Sequence, residues 1–229
     1  GVIHGSDFMH CDIVVAGADY HHVETSLLDR SYRNYKQSYW NKRTMSPSSL
    51  LFYLGLNKKL DIPHHALFFD TDFDNHAQEI YDNPKWPENP LFYLSCTSKT
   101  DPTSAPEGCD AVFVLVPVAP GLDDTNEARE EIYNKVITRM ERVLNESIRD
   151  SIVLKKSYAH KEFISDFNSF KGNAYGLANT LLQTAIFKPR IKNNKINNLY
   201  YCGQLTVPGP GMPPSLVSGK IVAQQVMDD

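Results

Sequence analysis

The chain has 229 residues, of which 41% are hydrophobic, and carries 23 basic against 27 acidic side chains for a net charge of −4. That length suits one large domain or two small ones, and the apolar share is enough for a core. The slightly acidic balance excludes a bulk attraction to nucleic acid, and no run of 18 apolar residues exists to span a membrane.

In chain order, residues 1–10 read as the second half of a hairpin whose first strand is absent, as in a chain that opens inside a longer protein. Residues 12–18 form a short apolar run ending in small residues, which predicts a strand buried on both faces. Asp19 can cap a helix reaching to about Leu28. Residues 30–43 hold Arg30, Arg33, Lys36, Lys42 and Arg43 with no acid, interleaved with Tyr32, Tyr35, Tyr39 and Trp40. Two readings stay open for this stretch: a solvated basic face, or a peripheral contact with an anionic membrane, its rings at headgroup level.

From Ser48 the texture changes. Residues 50–56, 66–70, 91–97 and 111–118 are rich in β-branched and aromatic residues, and Pro/Gly/Asp clusters separate them, which predicts strands joined by turns. Thr71 or Asp72 can cap a short helix to Tyr81. A long helix is expected at about 124–145, with Ile132, Val136, Met140 and Val143 as its core stripe. Residues 151–158 read as a strand, 160–169 as a short helix, 172–198 as irregular chain and 199–203 as a last strand. The whole predicts an α/β (α+β) protein. A mostly antiparallel sheet with helices, residues 45–160, is inserted between two pieces of another domain, residues 1–44 and 161–229.

The four cysteines, Cys11, Cys96, Cys109 and Cys202, form no CxxC pair and read as reduced, buried thiols of a cytoplasmic protein. His21-His22 and His64-His65 are adjacent pairs, and adjacent side chains do not face one ion. His21 with Glu24 gives two ligands without a third, so no metal site is expected. The chain contains no G-x-S-x-G, P-loop, H-E-x-x-H or G-x-G-x-x-G string.

The most informative stretch is residues 200–215, where an apolar strand runs into a Pro/Gly loop and then into a helix expected over 215–227. Gly209 and Gly211 lack a Cβ, so a ligand can approach their backbone closely. The prolines hold that backbone in place. The helix start aims its dipole at whatever fills the loop, which suits an electron-rich or anionic group.

Together these segments resemble the carotenoid-type phytoene desaturases (phytoene dehydrogenases) of the bacterial and fungal kind. The resemblance is carried by residues 12–19, by Ser46-Pro47-Ser48 with Tyr53-Leu54-Gly55-Leu56, by Thr100-Asp101-Pro102 through Ala105-Pro106-Glu107-Gly108, and by 185–189 and 198–201 leading into the loop. It implies FAD as cofactor and a Rossmann-like FAD-binding domain, here as residues 1–44 and 161–229, with a substrate-binding domain over 45–160. It also implies a C-terminal piece without the N-terminal dinucleotide-binding part, which leads us to expect no tight FAD binding and no turnover by this piece alone. The implied reaction inserts double bonds into a hydrophobic carotenoid precursor by hydride transfer to the flavin. Implied flavin neighbours are Gly203, Gln204, Val207, Pro208, Gly209, Gly211, Met212, Pro213 and Pro214. Relatives often read G-A-G-T-H-P-G-x-G-x-P-G here, so Gln204, Leu205, Val207 and Pro214 depart from the pattern. No carboxylate or histidine is marked by a motif as a catalytic base. An apolar substrate needs an aliphatic and aromatic lining, for which Leu51, Tyr53, Phe68, Phe92, Leu94, Phe113 and Leu115 are candidates. A related isomerase or ketolase, an amine-oxidase-like flavoenzyme and a non-catalytic lipid-binding module are the competing functions.

Overall fold

The computed structural model describes residues 1–229 in full. Two compact units form, one from Gly1–Ser46 with Ile164–Asp229 and the other from Pro47–Phe163. In chain order the elements are β1 (Val2–His4), β2 (Asp7–Met9), β3 (Val14–Ala16), α1 (Tyr20–His22), α2 (Gln37–Asn41), β4 (Ser48–Leu56), β5 (His65–Phe68), α3 (Phe73–Tyr81), β6 (Phe92–Cys96), β7 (Asp110–Val118), α4 (Asn126–Leu144), β8 (Ile152–Tyr158), α5 (His160–Phe167), β9 (Leu199–Tyr201) and α6 (Met212–Asp228). No helix is long and apolar enough to cross a membrane.

The unit of residues 47–163 is a five-stranded antiparallel sheet in the order β5-β6-β7-β4-β8. Strand alternation sorts its side chains. Along β4, Leu50, Phe52, Leu54 and Leu56 are buried, and along β7 so are Val112, Val114, Val116 and Val118. These residues face α4, whose Ile132, Val136, Ile137 and Met140 complete the core. Thr125 caps α4 by accepting from Ala128 N, and Asn145 ends it in the left-handed conformation at φ 51°. Val143, expected in the core stripe, is 53% exposed. By that last turn the stripe has rotated off the sheet.

Phe68, Phe92 and Leu94 are also buried on the α4 side, at 7%, 2% and 0% exposure. They are core residues, which corrects their candidacy as tunnel lining. Leu51, Tyr53, Phe113 and Leu115 alternate onto the opposite face.

In the other unit β3 and β9 pair in parallel, Val14 with Leu199 through Ala16 with Tyr201. Val15 is 49% exposed, so β3 is not buried on both faces. The expected half-hairpin at residues 1–10 is a whole one, with Val2 paired to Met9 and His4 to Asp7 around Gly5 at φ +62°. The core gathers around Tyr20, Trp40, Leu177, Tyr201 and Leu205. Tyr20 stacks on Tyr201 at 3.9 Å, and Tyr35 stacks on Tyr39 at 4.2 Å. The aromatic residues of the 30–43 stretch therefore serve this core. Trp40 is fully buried, Tyr35 and Tyr39 pack against the cluster, and only Tyr32 is exposed.

Candidate functional site

The loop after β9 is fixed from three sides. Cys202 N donates to Ala16 O at 3.1 Å, which continues the β3 pairing. Gly203 N donates to Ser218 Oγ at 3.0 Å. Thr206 Oγ1 lies 2.9 Å from Gly203 O and 2.8 Å from Ser218 Oγ. Thr206 and Ser218 are both fully buried, so this hydroxyl pair clamps the loop to α6. Gly176, at φ +85°, lies beneath the loop, and a Cβ there would meet Gln204 O at 2.8 Å. Asn173 Oδ1 accepts from both Gly176 N and Gln204 Nε2, at 2.7 and 3.3 Å.

Gly203, Gly209 and Gly211 all have positive φ, at 108°, 132° and 111°. No heavy atom lies within 4 Å of a Cβ built on Gly203, which leaves open space for a ligand there. Gly209 is the opposite case, because a Cβ on it would meet Lys188 Cε at 3.0 Å and Nζ at 3.1 Å. The Val207–Pro208 peptide is cis. Of the remaining candidate residues, Gln204, Val207, Gly211 and Pro214 are half-buried, while Pro208, Met212 and Pro213 are exposed. All nine lie on one continuous stretch running from β9 into α6.

α6 begins at Met212, three residues before the expected Ser215, with Gly211 as its N-cap. This changes the chemistry of the helix end. Pro213 and Pro214 have no N–H, and Ser215 N already donates to Gly211 O at 3.0 Å. Of the first three helical residues only Met212 has an amide to offer a ligand. The dipole remains, but most of the expected hydrogen-bond donors do not.

The open face of the sheet is a second feature. The strand registers place Leu67, Tyr93, Leu115, Leu51 and Tyr158 in one row across all five strands. At about 4.8 Å per strand the row spans about 19 Å. At its β5 end lies a cavity of about 270 Å³ bordered by Leu67, Phe69, Phe73, Ile80 and Pro117.

The other titratable clusters have structural partners. Glu24 is fully buried, accepts from Asn34 N and Tyr35 N at 2.7 and 2.9 Å, and has its pKa raised by burial. His76 joins α3 to its surroundings through Leu91 N and Pro117 O at 3.1 and 2.9 Å. Arg129 meets Asp124 and Glu162, each at 2.6 Å, and all three belong to the sheet unit. His21 contacts Gln37 at 3.0 Å, and no group of three metal-ligating side chains exists. The four cysteines are free thiols, but only Cys96 is buried, against the expectation for all four.

Sequence reasoning missed Thr206, Ser218, Gly176 and Lys188 as parts of the site. Thr206 stands inside the quoted loop, and Lys188 inside the matched 185–189 segment. The other two give no local indication of their role.

No family model matches the chain. It is similar to the carotenoid 3,4-desaturase of Haloarcula japonica, with 41% identity over 99% of this chain and 46% of that protein. It is also similar to the zeta-carotene-forming phytoene desaturase of Myxococcus xanthus, with 30% identity over 98% of this chain and 44% of that protein. The chain thus spans somewhat under half the length of these curated relatives. Among solved structures, an oxidoreductase from Methanosarcina mazei matches in fold with a TM-score of 0.59 at 14% identity, covering 98% of this chain and 44% of that one.

Proposed function

Because this chain belongs to the carotenoid desaturase family, we propose that it supplies one wall of an FAD site and an apolar platform for a carotenoid substrate. The observation that carries the proposal is the strand–loop–helix from β9 to α6. There, Gly203, at positive φ beside open space, leaves backbone exposed to a ligand, and Thr206 and Ser218 hold that backbone in place. These residues suit the ring end of a flavin. Open space beside Gly203 and the exposed, donor-poor residues Pro208, Met212 and Pro213 favour an aromatic ring over a compact, fully charged anion. They do not suit a pyrophosphate, for which the chain has no G-x-G-x-x-G cradle.

When bound, FAD would supply the acceptor for the hydride of one C–H bond, the neighbouring carbon giving its proton to a base or to water as the double bond forms. The protein's own contribution is to bind, align and exclude water. The row Leu67–Tyr93–Leu115–Leu51–Tyr158 offers a rod-shaped polyene an apolar bed with no charged side chain in it. The α6 dipole favours negative charge gathering at the loop. Peripheral membrane contact, from the cytoplasmic side, is part of the same reading. Arg30, Lys36 and Lys42, with Tyr32, all exposed, are the residues for it.

The test is expression of the complete gene product in cells that accumulate colourless phytoene, and separately in cells that accumulate a coloured carotenoid. New absorption bands at longer wavelength in either strain support the proposal. Unchanged pigment in both strains, with the protein present and flavin-loaded, would reject it.

A further inference from the structure

Lys188 follows the 3-10 turn of Ala185–Phe187 and is only 4% exposed. Its Nζ has no hydrogen-bond partner and no ion pair. Burial alone pushes its pKa down, with no acidic group near enough to oppose the shift. The side chain passes directly beneath Gly209, in the middle of the Pro/Gly loop. It also lines a groove of about 490 Å³ with Arg190, Lys192 and Val207. Lys192 is neutralised by Asp229 at 2.6 Å, whereas neither Lys188 nor Arg190 has a carboxylate partner.

A buried, unpaired ammonium is among the more costly groups a fold can contain. An apolar side chain of the same length would fill the space without that penalty. Lys188 therefore calls for a compensating partner, and the α6 start indicates what kind. Pro213 and Pro214 have stripped that helix end of donors, so the loop has a dipole behind it but little hydrogen bonding to offer. A cation under Gly209, shielded from water, supplies the missing positive potential in a medium where it is screened least. Gly209 lets the backbone lie against it, since any Cβ would strike Lys188.

We infer that Lys188 is a positioning residue, a buried cation held beneath the Gly209 backbone so that the outer face of the loop attracts an electron-rich ligand. On the FAD reading above, on which this rests, that ligand is the flavin ring, whose reduced form carries negative charge that Lys188 stabilises through the loop.

The test compares the purified chain with its Lys188→Met and Lys188→Arg variants. Without ligand, Lys188→Met melts at the wild-type temperature or above, because a desolvated charge has been removed. A lower melting temperature would assign Lys188 to the fold and overturn the inference. With FAD, followed by quenching of flavin fluorescence, Lys188→Met binds about tenfold more weakly and Lys188→Arg recovers most of the loss. The flavin bound to Lys188→Met is also harder to reduce, by about 30 mV, a tenfold change in the ratio of its two-electron forms. Equal affinity and equal midpoint in wild type and Lys188→Met would overturn the inference. Where the wild type takes up no FAD, as the missing G-x-G-x-x-G cradle leads us to expect of this chain alone, lumiflavin, a flavin ring without the pyrophosphate, decides the role of Lys188. Protection of the wild type against thermal unfolding that Lys188→Met loses sustains the inference, equal protection of both overturns it, and no protection of either ends the flavin reading with it.

Discussion

In the sheet unit, residues 47–163, Asp124 and Arg129 are both more than nine-tenths buried and meet at 2.6 Å, and buried Asp110 meets Lys99 at 2.8 Å. In the loop unit, residues 1–46 with 164–229, buried Glu24 and Lys188 and half-buried Asp19 and Arg43 have no ion-pair partner. Asp19 accepts from His22 N and Phe170 N, Glu24 from Asn34 N and Tyr35 N, and Lys188 Nζ and Arg43 Nε have no hydrogen-bond partner. Away from the surface the carboxyl pKa directions divide the same way, while exposed Asp229 of the loop unit is held low, at about 2, by its hydrogen bond to Lys192. In Asp110, Asp124 and Glu162 burial alone would raise the value, but hydrogen bonds to Lys99 and Arg129 win and lower it. In Asp19 and Glu24 burial prevails and the value rises. One unit has neutralised its charges and behaves as scaffold. The other holds its carboxylates by neutral donors and leaves Lys188, beside Gly209 of the Pro/Gly loop, without a partner, as an unfinished binding site does.

The strongest way to break this contrast is Arg129→Ala. It leaves Asp124 buried without its partner and should cost about 3–5 kcal/mol, read as the midpoint of denaturant unfolding. A loss below about 1 kcal/mol would mean that the cluster is no scaffold.

Gly176→Ala is the next largest and probes the loop unit. Its Cβ would meet Gln204 O at 2.8 Å, from a backbone already at φ +85°. A loss of about 1–3 kcal/mol is expected, together with weaker FAD uptake because the loop is pushed from below. Full stability with unchanged uptake would show that Gly176 does not brace the site.

The gentlest probe is acid. Carboxyl groups held low stabilise the sheet unit above the unfolded carboxyl pKa of about 4, and that stability is lost as pH falls through their folded values. Asp19 and Glu24, held high, stabilise the loop unit below the unfolded pKa and lose that contribution as pH rises through their folded values. Hydrogen exchange across this range should show protection changing in opposite senses at the sheet core and at the His22, Phe170, Asn34 and Tyr35 amides that Asp19 and Glu24 hold. Parallel change in both would refute the contrast.

Much of the architecture is legible in residue order. The period-two burial of β7 follows from Val112, Val114, Val116 and Val118 alternating with Phe113 and Leu115. Asp72 caps α3 as its side-chain chemistry suggests, accepting from Asp74 N and Asn75 N. Residue order places the α6 start too late, because prolines normally end a helix and are tolerated only in its first turn, where these two lie. The basic, aromatic stretch at 30–43 carries no local mark that Trp40 turns inward, since Tyr20 and Phe170, ring partners from outside the stretch, are remote in sequence.

The sequence by itself determined the strands, the long helix and the Pro/Gly loop, because each depends on neighbours a few residues away through alternation, helical period and the dihedral freedom of glycine. Tertiary structure decided which side chains meet. Strand register assembled Leu67, Tyr93, Leu115, Leu51 and Tyr158 into one row, and chain packing brought Gly176 under Gln204 and Lys188 under Gly209. Such pairings depend on long-range closure and on which charges the fold leaves unpaired, neither of which any local pattern encodes.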